Sequence, residues 1–140
     1  MHENFFHNVK VYYEDTDAGG IVYYANYLKY LERARTEALL TIGLSNLKIK
    51  DKFSAQIIVK SCNIEYKKPA HLEDELKIRS FIKSVTKTSF YMNQIITIAE
   101  STIVEAQVHL VFVNEKNKPV KVPEIIFDNF KPYFCDSIKL

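Results

Sequence analysis

Residues 24–43 read YANYLKYLERARTEALLTIG and form the longest stretch of the chain with a helical pattern of apolar side chains. The apolar residues recur at spacings of three and four, and charged residues occupy the other positions of the turn. Gly43 follows the last apolar residue, where a left-handed residue commonly ends a helix. The pattern predicts an amphipathic helix from about Tyr24 to Ile42, roughly 28 Å long at a rise of about 1.5 Å per residue.

Segments rich in strand-forming residues lie on both sides of this helix. Residues 9–13 are β-branched or aromatic except for Lys10 and predict a first strand. The remaining predicted strands follow the helix and span residues 55–66, 73–85, 88–99 and 103–113. The interruptions at residues 86–87 and 100–101 are short enough for hairpins, so the last three strands should form an antiparallel meander. Residues 124–130, which follow Pro123, predict a short terminal helix.

This order of elements predicts an α+β fold. One face of an antiparallel sheet can cover one long amphipathic helix, and a chain of 140 residues suits a single domain over residues 1–140. The other face and the edges of such a sheet still need cover, so we expect a homo-oligomer.

Composition excludes several functional classes. A net charge of +2, spread along the chain, argues against nucleic acid or a membrane surface as a partner. Neither a signal peptide at the N-terminus nor a membrane-spanning apolar run is predicted. Cys62 and Cys135 form no CxxC pair and have no neighbouring His, so no zinc or redox motif is expected. Two scattered cysteines fit a reducing compartment, and we expect a cytoplasmic protein.

The segment DTDAGGIVYY, residues 15–24, joins the first strand to the long helix. Gly19 and Gly20 allow a ligand to approach the backbone closely. The start of the helix offers unpaired N–H groups to an oxyanion or a polarised carbonyl, and a carboxylate just upstream could act as nucleophile or general base. The same residues also suit a plain turn with aspartate side-chain hydrogen bonds. A partial calcium loop is a third possibility, but it lacks the later glutamate that such loops need.

The same segment, extended, resembles a known family signature. Residues 13–27 (YEDTDAGGIVYYANY) and 30–35 (YLERAR) are similar to the signature of the YbgC-type branch of the 4-hydroxybenzoyl-CoA thioesterase family. Similarity continues at residues 64–70 and 87–90, so it covers nearly the whole chain. The resemblance implies the hotdog fold, in which an antiparallel sheet wraps around one long central helix. It also implies hydrolysis of acyl-CoA to a free acid and CoA, without a metal or an organic cofactor.

The resemblance also assigns roles to individual residues. The catalytic carboxylate falls on Asp17, as nucleophile or as general base, and the two roles stay open. A substrate contact falls on the backbone N–H near Tyr24, which would polarise the thioester carbonyl. Gly20 is a further candidate contact, because a glycine lets a ligand approach the backbone. Lys83 and Lys87 would contact the CoA phosphates. Active sites of this family lie between two subunits, so a dimer or a tetramer of two dimers is expected.

Two further points follow from the comparison of motifs. Many YbgC-type members carry His where this chain has Tyr24, so a role for a His side chain at that position is not available here. A hotdog dehydratase would also need a His, and none of His2, His7, His71 and His109 lies in the glycine segment or the helix.

A non-catalytic module that binds acyl-CoA or acyl carrier protein is the alternative function. For the enzyme, we expect aliphatic acyl groups, from the aliphatic content of the helix and strands. The YbgC resemblance suggests a link to proteins of the cell envelope or of lipid synthesis.

Overall fold

The computed structural model describes residues 2–135. The strands among these residues are β1 (Phe5–Lys10), β2 (Gln56–Tyr66), β3 (Glu75–Val85), β4 (Ser89–Ile98) and β5 (Ser101–Val113), and the α-helices are α1 (Asn26–Thr41), α2 (Asn46–Phe53) and α3 (Glu124–Phe130). The α+β prediction is confirmed.

The five strands form one antiparallel sheet in the order β1-β3-β4-β5-β2. The predicted meander of β3, β4 and β5 is confirmed and occupies the centre of the sheet. The strand before the long helix and the strand after it therefore lie at opposite edges. Among residues 2–135, no further strand pairs with the outer side of either edge strand.

Helix α1 covers one face of this sheet, mainly above β1 and β3. Successive side chains of the strands alternate between the face under the helix and the outer face. In β5 the residues from Val104 to Phe112 at every second position are buried towards the helix, whereas Glu105 and Gln107 face outward and are exposed. The buried face of α1 consists of Tyr27, Tyr30, Leu31, Ala34, Ala38 and Leu39. The inner face of the edge strand β2 has little cover, and Val59 and Tyr66 remain 48% and 43% exposed.

Two predicted boundaries were wrong. The first strand was placed at residues 9–13, but it begins at Phe5 and pairs with β3 only as far as Lys10. Residues Tyr13–Asp15 instead form a 3₁₀ turn, which the carboxylate of Asp15 stabilises by accepting the N–H of Tyr12. Helix α1 has 16 residues, about 24 Å at 1.5 Å per residue, rather than the predicted 28 Å.

The end of α1 was predicted correctly. Gly43 has a φ of +78°, the left-handed conformation expected just beyond a helix C-terminus. Helix α2 was not predicted, although its start carries a sequence signal: Ser45 accepts the N–H of Lys48 as an N-cap. No helix among residues 2–135 is long and apolar enough to cross a bilayer.

Candidate active site

A tight turn presents the glycine segment just before α1. Thr16 and Val22 form an antiparallel bridge, and inside it the N–H of Asp17 donates to the carbonyl of Ile21 at 2.9 Å. The N–H of Gly20 donates back to the carbonyl of Asp17 at 3.0 Å, which closes the turn. Gly20 has a φ of +79°, a conformation that costs other residues energy. Its backbone also borders open space, because a side chain built there would meet no atom within 4 Å.

The Asp17 carboxylate is exposed at the tip of this turn. Its Oδ1 accepts the N–H of Gly19 at 2.8 Å, so the alternative of a turn with an aspartate side-chain hydrogen bond describes part of the geometry. A side chain at Gly19 would lie 3.2 Å from the same oxygen, so this glycine leaves the carboxylate room. The other oxygen, Oδ2, accepts no hydrogen bond within residues 2–135. One oxygen therefore positions the side chain and the other is open to solvent.

The start of α1 lies a few residues downstream and has no capping side chain. The N–H groups of Asn26, Tyr27 and Leu28 donate to carbonyls three residues earlier. Tyr24 lies two residues before the first residue of α1. Its N–H makes no hydrogen bond within the described part of the chain. The positive end of the helix dipole points to this place. A backbone donor with no partner among residues 2–135 thus lies just before the helix.

Asp15, the other aspartate of the segment, has a different environment. Its carboxylate accepts the N–H of Tyr12 at 2.9 Å, and its carbonyl accepts both the Asn26 side-chain amide at 2.8 Å and the N–H of Tyr23 at 2.9 Å. The buried hydroxyl of Tyr30 faces this carboxylate but falls outside hydrogen-bond geometry. Burial, together with the nearby Asp15 carboxylate, raises the pKa of Tyr30. Asp15 therefore ties the loop to α1, a role that the sequence analysis missed.

Lys83 and Lys87 lie at the far end of the sheet from Asp17. Lys83 is the extra residue of a β-bulge near the end of β3, and Lys87 lies in the turn to β4; both are exposed. The loop that holds Asp17 meets β3 at its opposite end, where the N–H of Val11 donates to the carbonyl of Asp74. Nine residues of strand at about 3.3 Å each separate Asp74 and Lys83 by roughly 30 Å. Within one chain, the two predicted lysines are therefore not brought together with Asp17.

The comparisons with known proteins agree with one another. A family model described as the thioesterase-like superfamily matches residues 11–130. The chain is 43% identical over 125 residues to the acyl-CoA thioester hydrolase YbgC of Escherichia coli, covering 88% of this chain and 92% of that protein. It is 36% identical to the acyl-CoA thioesterase YbgC of Haemophilus influenzae, covering 83% and 86%.

The chain belongs to the YbgC family of the thioesterase-like superfamily. A solved probable thioesterase from Bartonella henselae superimposes with a TM-score of 0.83 at 31% identity, covering 86% of this chain and 100% of that one. The hotdog fold implied by the sequence resemblance is confirmed.

This YbgC-family chain surrounds its helix start with tyrosines. Tyr24 is 61% exposed, and its ring contacts those of Tyr23 and Tyr66 with centroids 4.9 and 6.2 Å apart. The hydroxyl of Tyr66 donates to the carbonyl of Tyr24 at 3.5 Å, and the Tyr27 hydroxyl accepts the N–H of Ala70 at 3.1 Å. Tyr66 therefore supports the backbone at Tyr24. Tyr27 supports the backbone of Ala70, whose carbonyl accepts the N–H of Val22.

The histidines lie elsewhere. His109 stacks on Tyr91 on the outer sheet face, and its Nε2 lies 2.8 Å from the hydroxyl of Ser89. His71 is exposed and lies 3.8 Å from the carboxylate of Asp74. Within residues 2–135, no group of three or more His, Cys, Asp or Glu side chains is placed to hold a metal ion.

Proposed function

We propose that this YbgC-family protein is an acyl-CoA thioesterase that uses Asp17 to hydrolyse the thioester to a free acid and CoA. The observation that carries the proposal is the exposed Asp17 carboxylate, which has one oxygen open and lies a few residues upstream of a helix start that no side chain of residues 2–135 caps. The names of the relatives from Escherichia coli and Haemophilus influenzae support the acyl-CoA substrate.

The proposed reaction needs a base or nucleophile on one side of the acyl carbon and a donor on the carbonyl oxygen. As a general base, Asp17 would take a proton from water while the water oxygen attacks the acyl carbon. The bond from carbon to sulfur then breaks, and the CoA thiolate leaves and takes up a proton. As a nucleophile, Asp17 would first attack the acyl carbon and displace the CoA thiolate, which takes up a proton; water then hydrolyses the resulting mixed anhydride to the free acid and the Asp17 carboxylate.

Three features of the segment would serve either route. The N–H of Tyr24 would donate to the carbonyl oxygen as negative charge develops there, and this does not depend on the Tyr24 side chain. Gly20, which borders open space, would let the acyl group approach the backbone. The hydrogen bond from the N–H of Gly19 would hold the carboxylate in one orientation during the reaction.

A complete site would need a second copy of the chain. Lys83 and Lys87 are exposed cations that suit CoA phosphates, but they lie roughly 30 Å from the Asp17 loop of their own chain, by the strand rise of about 3.3 Å per residue. A homodimer, or a tetramer of two dimers, could place the lysines of one copy near Asp17 of the other. Light scattering at assay concentration tests this point, because an active monomer would contradict it.

The physiological setting follows from the same proposal. We infer aliphatic acyl groups as substrates, acyl carrier protein or proteins of the envelope and of lipid synthesis as possible partners, and the cytoplasm as the compartment. Cys62, an exposed free thiol, fits a reducing compartment.

The alternative is a module of the same family that binds acyl-CoA, or acyl carrier protein, without turnover. Two measurements on the wild-type protein separate the alternatives: release of free CoA thiol over time and binding of acyl-CoA at equilibrium. An enzyme releases many equivalents of CoA per subunit. Saturable binding with no thiol release would instead identify the binding module.

A further inference from the structure

Arg35 differs from the other two cations of α1, Lys29 and Arg33, because it is partly buried and they are exposed. Its guanidinium is partly buried, and Nη1–H donates to the side-chain Oε1 of Gln94 at 3.1 Å. It makes no ion pair within 4.0 Å among residues 2–135. Burial lowers the pKa of Arg35, and the nearby Glu32 offsets this only in part. Most of its N–H donors therefore have no partner in the described part of the chain.

Gln94 holds Arg35 in this place. It is 0% exposed and one of the few polar side chains buried between the sheet and α1. Its amide nitrogen donates to the carbonyl of Leu31 at 3.0 Å and to the hydroxyl of Ser80 at 3.1 Å. Both amide hydrogens are thus used, which fixes the carbonyl oxygen towards Arg35. Gln94, on the sheet side of Arg35, therefore fixes the orientation of the guanidinium.

A small groove opens beside Arg35, between α1 and the poorly covered inner face of β2. Its volume is about 130 Å³, enough for about four non-hydrogen atoms at roughly 30 Å³ each, the volume share of a water molecule. The apolar lining is Leu39, Ile57, Val59, Phe90, Met92 and Leu110, and the polar rim includes Arg35 and Glu32. Glu32 is exposed and accepts the hydroxyl of Thr36 at 3.1 Å, so solvent screens its charge more than that of Arg35.

We propose that this groove binds the far end of the acyl group and that Arg35 selects acyl groups that end in a carboxylate. The inference rests on the proposed thioesterase function and names its substrate class as the CoA thioesters of dicarboxylic acids. A planar guanidinium with free donors matches a carboxylate in a two-bond arrangement. The methylene groups that precede the carboxylate suit the apolar lining.

The length of the acyl group is set by the distance from the reacting carbon to Arg35. Arg35 lies nine residues beyond the first residue of α1, about 14 Å along the helix axis. A short diacid cannot span that distance within one chain. The test therefore compares equal-length pairs of the longer acyl groups: suberoyl-CoA with octanoyl-CoA, sebacoyl-CoA with decanoyl-CoA, and dodecanedioyl-CoA with dodecanoyl-CoA.

The measured quantity is the ratio of kcat/KM for the diacid thioester to kcat/KM for its unsubstituted partner. We expect wild type to give a ratio of about 10 or more for at least one length, as one charge-assisted hydrogen bond would provide. Arg35→Met should bring that ratio close to one while hydrolysis of the unsubstituted thioester persists. Arg35→Lys, which keeps the charge but not the planar fork, should give an intermediate ratio.

Arg33→Met is the matched control, because Arg33 lies on the same helix, is exposed and carries the same charge. Its ratio should equal that of wild type. A wild-type ratio near one at every length would overturn the inference while leaving thioester hydrolysis intact. So would loss of the oligomer in Arg35→Met with an unchanged ratio, since Arg35 would then serve a contact between copies. No hydrolysis of any thioester would overturn the proposed function, and this inference with it.

Discussion

The two aspartates of the loop before α1 are chemically identical and two positions apart, yet their surroundings are opposite. Asp15 is half-buried, and its carboxylate and carbonyl together accept three hydrogen bonds that tie the loop to Tyr12, Tyr23 and Asn26. Asp17 is exposed, and only one of its two carboxylate oxygens accepts a bond, from the N–H of Gly19. The side-chain amide of Asn26 ties Asp15 to α1, whereas the hydrogen bonds of Asp17 among residues 2–135 all lie within the turn at residues 17–21. Stability should therefore depend on Asp15 and chemistry on Asp17.

The largest effect is expected from Asp17→Asn. The Asn side chain keeps an acceptor for the N–H of Gly19 but removes the charge and the basicity, so kcat should fall by at least about 10²-fold. The free energy of unfolding and the oligomeric state should stay close to wild type. The measurement is thiol release at saturating acyl-CoA, combined with thermal unfolding. Near wild-type hydrolysis by the folded variant would remove Asp17 from the mechanism.

Asp15→Asn is the matched control for this substitution. The Asn side chain can still accept the N–H of Tyr12, and the carbonyl bonds of residue 15 do not involve the side chain. It should lose much less activity than Asp17→Asn. An equal loss in both variants would mean that activity depends on the negative charge of the loop in general and not on one catalytic carboxylate.

The next largest effect is on the free energy of unfolding, for which we expect Asp15 to matter more than Asp17. Asp15→Ala removes the acceptor for Tyr12 and should lower the free energy of unfolding by about 1 to 2 kcal/mol, as loss of a capping side chain does. Asp17→Ala loses only an exposed turn bond and should lower it by less. Chemical denaturation of both variants measures the difference. A larger loss in Asp17→Ala would contradict the contrast between an anchored Asp15 and an exposed Asp17.

The sequence alone could predict the features that depend on local pattern. The amphipathic period of α1, its end at Gly43 and the alternation in β5 all follow from residues close together in the chain, and all are confirmed. The glycine segment was recognised because it is a continuous motif. The identity of the family followed from the same continuous motifs.

Features that depend on distant partners could not be predicted in this way. Nothing in the spacing of Asp15 and Asp17 reveals that Asn26 and Tyr12 hold one and leave the other open. The order of the sheet, with β2 at an edge, leaves the groove beside Arg35 open, and pairing across the sheet is not visible in the chain order. For the same reason, the separation of the lysines from Asp17 became apparent only from the structure.

A third, smaller effect compares Gly20 with Gly43. Both have a φ close to +78°, and a side chain at either would meet no atom within 4 Å, so Ala at each should lower the free energy of unfolding by about 1 kcal/mol. Only Gly20 lies in the turn that holds Asp17. We therefore expect Gly20→Ala to lower kcat/KM and Gly43→Ala to leave it unchanged, in steady-state assays below the melting range. Equal values of kcat/KM in the two variants would show that Gly20 is needed only for the conformation of the backbone and not for catalysis.

The smallest effect is expected at the lysines, because exposed cations contribute little energy individually. Lys83→Ala and Lys87→Ala should each raise KM for acyl-CoA a few-fold with little change in kcat, the pattern of binding energy that is equal in the ground and transition states. Added salt should shrink the difference from wild type, since exposed charges are screened over about 10 Å at 0.1 M ionic strength. Lys50→Ala, an exposed lysine of α2, controls for loss of one positive charge. If neither KM rises at low salt, or if Lys50→Ala raises it equally, the two lysines do not contact CoA, and the argument that a second copy of the chain completes the site loses its support.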